Sequence, residues 1–202
     1  MSPEAREMMD KALSAITDKI KDPEEFSFIA ARLRKQKKKL VQCDGIFDLV
    51  HPGHAAYFAM AKTQGDILYV VLVTDRFVRK GPGRPVFDQE TRAMWVAGIQ
   101  GVDYVVINDD FGPYKVIKMV RPDVLVKGDS YEHNPSEGFL RDRGLVESYG
   151  GKMFFIPETD MHSTEIFKKI HECVGRSLGD RSKINQEDKT PSNSETSESC
   201  SA

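Results

Sequence analysis

The run from Ile67 to Val73 constrains the fold of this chain more than any other segment, because it is almost wholly apolar and rich in β-branched residues. Such a run predicts a strand that is buried on both faces, as strands of parallel sheets are. Four shorter apolar segments predict further strands, at residues 40–43, 104–107, 124–126 and 153–156. The chain is therefore expected to build a parallel sheet.

Helical patterns separate these strands, at residues 53–64, 89–99, 113–120, 140–149 and 164–173. Strands that alternate with helices predict an α/β fold, a Rossmann-like parallel sheet with helices on both faces. Such sheets bind ligands beyond the carboxyl ends of their strands, where the strand order switches. The loops that follow strands are therefore the expected positions of functional residues.

Composition divides the chain into three parts. Residues 1–38 are rich in Ala, Glu, Lys and Arg and predict an N-terminal helical extension, with a break at Asp22-Pro23. Residues 39–172 form the predicted single domain. Residues 175–202 are polar and cannot bury enough apolar surface to offset the entropy of ordering, so a disordered tail is expected.

The bulk composition excludes several classes of function. The formal net charge of −2 gives no general attraction to nucleic acid or anionic membranes. No apolar segment approaches the ~20 residues that span a bilayer, and Met1–Asp10 lacks the apolar core of a signal peptide. Cys43, Cys173 and Cys200 have no metal-ligand spacing. We therefore expect a cytoplasmic protein with reduced thiols, no membrane span and no nucleic-acid partner, and with Cys43 buried.

The loop after the first strand carries the sequence His51-Pro52-Gly53-His54. A helix that begins at Pro52 or Gly53 offers free N–H groups and the positive end of its dipole, which favour phosphate. His51 and His54 are three residues apart, so within one helical turn they can face the same point. Two imidazoles aimed at a phosphate suit the stabilisation of charge during phosphoryl transfer.

Two other interpretations fit the pair His51 and His54. Zinc binding would need a third and a fourth ligand, and no cysteine or histidine has a convincing spacing. Alternatively, the two histidines only cap a helix.

The segment from Cys43 to His54 resembles the signature of the cytidylyltransferase-like nucleotidyltransferases, in which a Gly-aromatic-Asp stretch precedes an HxGH motif. The resemblance extends over roughly residues 38–171, and its most telling stretches are residues 80–86 and 121–128. The chain is most similar to the nucleotidyltransferase domain of bacterial ADP-heptose synthase. It resembles the glycerol-phosphate and phosphoethanolamine cytidylyltransferases next.

This resemblance, together with the loops after strands, implies a set of site residues. His51, His54 and Lys80 are expected to be catalytic, and Asp48, Lys80 and Arg84 to bind the acceptor. The residues expected to bind the nucleotide are Asp44, Gly45, Ile46, Phe47, His51, Gly53, His54, Arg92, Lys127, Gly128, Asp129, Ser163 and Thr164. No protein metal site is expected, and Mg²⁺ is expected to arrive with the triphosphate, with Asp48 near it or orienting a histidine.

Alternatives remain open for several of these residues. Lys80 and Arg84 flank a Gly-Pro-Gly segment that is expected to be a mobile cationic loop closing over phosphates, or else an ordinary surface loop. The neighbours of Arg92 on its helix look like core residues, so its guanidinium is expected to emerge at the helix start. By resemblance it touches the triphosphate. Equally, it forms a local ion pair with Asp88 or Glu90.

The start of the last helix departs from the family pattern. By resemblance, Ser163 and Thr164 hold the β- and γ-phosphates, or else they act only as a helix cap. Glu158 stands where the cytidylyltransferases carry an arginine, and Glu165 replaces a further hydroxyl. The heptose-type domain also lacks that arginine, so the departure favours this type. The acceptor stays open.

The expected reaction is transfer of a nucleoside monophosphate from a triphosphate to a phosphorylated small molecule, with release of pyrophosphate. The first choice is ATP with a heptose-like sugar 1-phosphate. The alternative is CTP with phosphoethanolamine, phosphocholine or glycerol 3-phosphate. A non-catalytic nucleotide-binding module and an assembly subunit built on the N-terminal helices are hypotheses from other classes. Resemblance to the family also implies a homodimer.

Overall fold

A computed structural model describes residues 1–158 and 162–174. The chain divides into two compact units, Met1–Ser163 and Thr164–Ala202. In the second unit, residues 164–174 continue a helix that begins at Ser163. The tail predicted for residues 175–202 lies outside the described residues.

The first unit is built on one six-stranded sheet in which every neighbouring pair of strands is parallel. The strands are β1 (Ile20–Lys21), β2 (Leu40–Gly45), β3 (Ile67–Val73), β4 (Tyr104–Asn108), β5 (Val124–Gly128) and β6 (Lys152–Ile156). Their order across the sheet is β1-β4-β3-β2-β5-β6. The predicted α/β fold is confirmed.

The strand order switches between β2 and β5. From β2 the chain moves outward on one side through β3 and β4, and then returns to the other side of β2 to form β5 and β6. Val41 is in register with Val124, and the two strands end at Gly45 and Gly128. In open α/β sheets a crevice that binds ligands forms at such a switch. The loops after β2 and β5 therefore border the expected site.

Within residues 1–158 the structure has seven α-helices, and four of them have a side-chain cap. They are α1 (Pro3–Thr17), α2 (Pro23–Lys35), α3 (Pro52–Lys62), α4 (Gln89–Ala97), α5 (Tyr114–Val120), α6 (Ser130–His133) and α7 (Glu137–Ser148). The capping side chains are Ser2, Asp22, Asp88 and Ser136, which accept hydrogen bonds from backbone N–H groups in the first turn. The short helix α6 was not predicted, and α7 begins before the predicted residue 140.

The core lies on both faces of the sheet. On β3, Leu68 and Val70 belong to one apolar cluster, while Tyr69 and Val71 belong to a cluster on the opposite face. All four are fully buried, as the apolar character of the run predicted. Strands covered on both faces need apolar residues at every position, because successive side chains point to opposite sides.

The N-terminal segment contributes to this core. Phe26 of α2 is fully buried, and its ring centroid lies 4.6 Å from that of Tyr69 and 5.2 Å from that of Tyr104. The short strand β1 pairs with β4 at the edge of the sheet. Lys19 supports this edge by donating to the carbonyl oxygens of Ala97 and Val102, each at 3.0 Å. Residues 1–38 thus lie in the same compact unit as the sheet.

Cys43 is fully buried within β2, as predicted, and burial raises the pKa of its thiol. Cys173 is a free and exposed thiol, and Cys200 lies outside the described residues. Within the part of the chain that the structure describes, no helix is both long enough and apolar enough to cross a membrane.

Candidate active site

The His51-Pro52-Gly53-His54 segment begins α3 at the carboxyl end of β2. His51 is the residue before the helix, with extended backbone (φ −141°, ψ 168°), and Pro52 and Gly53 lie in the first turn. The ring centroids of His51 and His54 are 3.9 Å apart, and the N–H of His51 donates to Nδ1 of His54 at 3.3 Å. The structure therefore brings the two predicted catalytic histidines together at the start of α3.

His54 is held as a neutral hydrogen-bond donor. Burial, with the neighbouring imidazole of His51 and the charge of Lys80, lowers its pKa to about 4. Because Nδ1 accepts the hydrogen bond from His51, the proton of the neutral ring belongs on Nε2. Burial also lowers the pKa of His51, helped by His162 and Lys80. A neutral Nε2–H group suits donation to a phosphate oxygen.

A titration of His54 by NMR is expected to show a neutral ring down to about pH 5, because the pKa of this ring lies near 4. The unfolded chain binds this proton near the ordinary pKa of about 6.5. The stability from neutral His54 is therefore complete above pH ~6.5 and is lost as the pH falls towards ~4. The His54→Ala variant identifies the signal, and an inflection near pH 6.5 would contradict the expectation.

Asp48 anchors the loop of residues 80–87 to the loop that carries the histidines. Its buried carboxylate pairs with the guanidinium of Arg84, and both side chains are at most 2% exposed. The second carboxylate oxygen accepts from the N–H of Val86 at 2.7 Å and from that of Phe87 at 3.1 Å. The loop that was expected to be mobile is thus tied down at three residues. That Asp48 and Arg84 bind the acceptor stays a prediction.

Lys80 and Arg84 converge on Ser163. The Nζ atom of Lys80 donates to Oγ of Ser163 at 3.3 Å, and Arg84 donates to the same oxygen at 3.5 Å. Burial and the charge of Arg84 lower the pKa of Lys80, while Asp48 opposes this shift. The charge of Lys80 in turn affects both His51 and His54. One positively charged cluster therefore lies beside the histidine pair.

Arg92 is placed differently from its expected position at the edge of the site. Its side chain is fully buried and donates to the carbonyl oxygens of Ile46 (2.5 Å), Phe87 (3.1 Å) and Val73 (2.9 Å). Its acidic partner is Asp75, at 2.7 Å, rather than Asp88 or Glu90. In this arrangement Arg92 joins three loops behind the site, and contact with a triphosphate would require it to break bonds within the protein.

The switch in strand order is bridged by a buried ion pair. Nζ of Lys127, at the end of β5, lies 2.6 Å from Oδ2 of Asp44, at the end of β2. Burial alone would lower the pKa of Lys127, but the charge and hydrogen bond of Asp44 raise it. The other oxygen of Asp44, Oδ1, is buried and has no hydrogen-bond partner within residues 1–158 and 162–174. Two predicted nucleotide ligands thus meet at the crevice.

Gly45 and Phe47 shape the loop between β2 and α3. A β-carbon at position 45 would lie 2.9 Å from the ring of Phe47, so a larger residue here would have to displace this ring. Phe47 has a left-handed backbone (φ 51°), and its ring packs against His54 and Phe58. Phe47 is buried. Together the two residues position the histidine loop.

The remaining predicted residues lie at two places. Gly128 is the last residue of β5 and Asp129 follows it. Glu158, which was not predicted as a site residue, lies against both. The feature of the sequence that singled out Glu158 was its position, because related cytidylyltransferases carry an arginine there. Thr164 is exposed and belongs to the second unit. Its role as a phosphate ligand stays a prediction.

The described residues offer no preformed metal centre. Among residues 1–158 and 162–174, no group of three or more His, Cys, Asp or Glu side chains has a geometry that could hold a metal ion. The pair His51 and His54 therefore has no third ligand within this part of the chain.

Comparison with known proteins identifies relatives over most of the described chain. The family described as cytidylyltransferase-like matches residues 42–169. The bifunctional protein HldE of Sulfurimonas denitrificans is 43% identical over 137 residues, which cover 66% of this chain and 29% of that protein. The same-named protein of Nitratiruptor sp. is 44% identical over 158 residues, covering 76% of this chain and 32% of that protein. The chain spans about a third of the length of these relatives.

Two solved structures are similar in fold. A lipopolysaccharide core biosynthesis protein of Thermoplasma volcanium has a TM-score of 0.51 at 27% identity, covering 61% of this chain and 99% of that one. A pantoate-beta-alanine ligase of Francisella tularensis has a TM-score of 0.53 at 16% identity, covering 70% of this chain and 67% of that one. The second likeness concerns the fold alone.

Proposed function

Because the chain belongs to the cytidylyltransferase-like family, we propose that it transfers a nucleoside monophosphate from a triphosphate to a phosphorylated small molecule, with release of pyrophosphate. The observation that carries this proposal is the meeting of His51, His54 and the Lys80 loop at the start of α3. These groups, with the helix N-terminus, provide donors and positive charge at one end of the crevice.

The reaction is a direct in-line displacement. A phosphate oxygen of the acceptor forms a bond to the α-phosphorus as the bond from that phosphorus to the bridging oxygen breaks, and pyrophosphate leaves. The nucleophile is already an anion, so no general base is needed. The neutral Nε2–H group of His54 and the ammonium of Lys80 stabilise the charge that develops on the phosphate oxygens.

ATP and a heptose-like sugar 1-phosphate are the proposed substrates. The motifs at residues 80–86 and 121–128 resemble the nucleotidyltransferase domain of ADP-heptose synthase, and the HldE proteins are 38–44% identical to this chain. The alternative from the sequence, CTP with a phosphoalcohol, is not favoured by these relatives.

A panel of four nucleoside triphosphates and several phosphorylated acceptors tests this proposal by the release of pyrophosphate. Release is expected with ATP and a heptose-like 1-phosphate, and at most weakly with CTP and phosphoethanolamine, phosphocholine or glycerol 3-phosphate. Reactions without acceptor serve as the control. Binding of nucleotides without release from any acceptor would instead support a non-catalytic nucleotide-binding module.

Mg²⁺ is proposed to enter with the triphosphate. The residues fit this role, because the buried Oδ1 of Asp44 is a carboxylate oxygen without a hydrogen-bond partner in the described chain, and Mg²⁺ is commonly held by one or two carboxylates and the phosphates. Bound there, the ion would neutralise phosphate charge. Turnover that persists unchanged after removal of divalent ions by a chelator would reject this role.

A homodimer is proposed from the exposed N-terminal helix. No residue of α1 is buried, and its Met8, Met9 and Leu13 are 73%, 53% and 40% exposed. Ile16, near the end of α1, packs against the core of the sheet, but the apolar residues nearer its start have no such cover. A helix of this length is marginal in water unless its apolar face is packed, and a second copy of the chain would provide that packing. Sedimentation equilibrium is expected to give twice the mass of the chain, and a monomeric mass at micromolar concentration would reject the dimer.

A further inference from the structure

Glu158 is fixed over the carboxyl end of β5. A β-carbon at Gly128 would lie 2.9 Å from Cγ and 3.0 Å from Cδ of Glu158, and closer still to Oε1. Oγ of Ser130 donates to Oε1 at 2.5 Å, and the N–H of Glu158 donates to Oδ1 of Asp129 at 3.2 Å. Gly128 therefore leaves the space that this carboxylate occupies, and the turn after β5 orients it.

The corner around Glu158 is rich in hydrogen-bond acceptors and negatively charged. It carries the carboxylates of Asp129 and Glu158, while the neighbouring cation, Lys127, is paired with Asp44. Phosphates are repelled by such a corner and attracted to the cationic cluster of Lys80 beside the start of α3. A nucleotide would therefore place its phosphates over α3 and its nucleoside across the switch, over β5 and β6.

Within a nucleoside, the base is the part that reaches Glu158. Strand β6, which precedes this residue, is two places from β2 in the sheet, a separation of roughly 10 Å. The ribose adjoins the phosphates, and the base extends farthest from them. A carboxylate can only accept hydrogen bonds, so it favours a base that presents a donor. Adenine and cytosine present an exocyclic amino group, where hypoxanthine and uracil carry an oxo group.

We propose that Glu158 is a specificity-determining residue that accepts a hydrogen bond from the exocyclic amino group of the base. This inference rests on the proposed nucleotidyltransferase function. An oxo group in the same place would face the carboxylate of Glu158 with a second acceptor, and neither oxygen would have a donor. Sites built for hydrogen bonding discriminate strongly against a substrate that leaves such groups unpaired. The enzyme therefore prefers ATP to inosine triphosphate (ITP), which differs from it in this group.

The test compares kcat/KM for ATP, ITP and 2′-deoxyATP in the wild type, Glu158→Gln and Glu158→Ala. The wild type is expected to prefer ATP to ITP by about tenfold or more, the effect of one such hydrogen bond. Glu158→Gln is expected to lower this ratio about tenfold, because its amide can donate to the oxo group. The preference for ATP over 2′-deoxyATP is expected to stay unchanged. Glu132→Gln, an exposed residue on α6, is the matched control.

Several outcomes would overturn the role of Glu158. These are a wild type that uses ATP and ITP equally, or variants that turn over normally with an unchanged ratio. A change confined to the ratio of ATP to 2′-deoxyATP would assign the carboxylate to the ribose instead. Glu158 is exposed, so the variants are expected to fold, and thermal melting checks this. If the panel of triphosphates shows that the substrate is a pyrimidine nucleotide, CTP and UTP provide the same comparison between an amino and an oxo group.

Failure of the proposed function is distinguishable from failure of this inference. Absence of pyrophosphate release from the wild type with every substrate would reject the transfer reaction alone. Equilibrium affinities for ATP and ITP, measured by calorimetry on the wild type and Glu158→Gln, would then decide the role of Glu158. An affinity ratio that the substitution lowers supports it, and an unchanged ratio overturns it.

Discussion

Replacing His54 with alanine is expected to lower kcat by about 10²–10³-fold, the usual effect of removing one donor that stabilises a transition-state oxyanion. The ring is neutral at working pH because its pKa is about 4, and its Nδ1 atom accepts from the N–H of His51. Nε2 thus carries the proton that the neutral ring can donate. The same substitution removes the acceptor for the His51 N–H, at an expected cost of about 1 kcal/mol.

The measurement is steady-state release of pyrophosphate with the substrates that the panel selects, together with chemical unfolding of the same variant. His171→Ala, an exposed histidine outside the predicted site, is the matched control and is expected to retain wild-type turnover. Wild-type turnover in His54→Ala would show that the proposed mechanism is wrong.

Replacing Asp48 with alanine is expected to lower the free energy of unfolding by about 3–5 kcal/mol, the range for removing one partner of a buried ion pair. The side chains of Asp48 and Arg84 are 0% and 2% exposed, so the substitution removes this carboxylate from beside a buried guanidinium. The N–H groups of Val86 and Phe87 also lose their acceptor. Because this loop carries Lys80, turnover is expected to fall as well.

Glu147→Ala is the control for this prediction, since Glu147 also pairs with an arginine. The pair Arg143–Glu147 is 45% and 51% exposed, and an exposed pair contributes at most about 1 kcal/mol. Urea unfolding of both variants, with the slope of each transition checked, gives the two free energies. Equal losses of stability in the two variants would contradict the anchoring role of Asp48.

Much of the fold was predictable because its signals are local. The bounds of β3, Ile67–Val73, match the prediction, since a strand buried on both faces needs a continuous apolar run. Strand β1 was not predictable, because Ile20–Lys21 is too short for a pattern and forms only by pairing with distant β4. Likewise, no local signal shows that Phe26 of α2 packs against Tyr69 and Tyr104.

In the candidate site, too, some contacts could be predicted from the sequence and others could not. His51 and His54 could be paired from their spacing, because the geometry of one helical turn brings residues three apart together. The partners of Arg92 and Asp48 could not be predicted, because Asp75 and Arg84 reach them only through the tertiary fold. The catalytic roles, the cytoplasmic location and the acceptor stay predictions.

The sequence by itself determined the parallel sheet, the helix that begins after β2 and the histidine pair at its start, because each follows from a period or a spacing of a few residues. Only the tertiary structure decided that Arg92 is buried behind the site and that Glu158 lies over Gly128. The reason is physical. The partner that a charged side chain takes depends on burial and on distance in space, and both are set when distant segments of the chain come together.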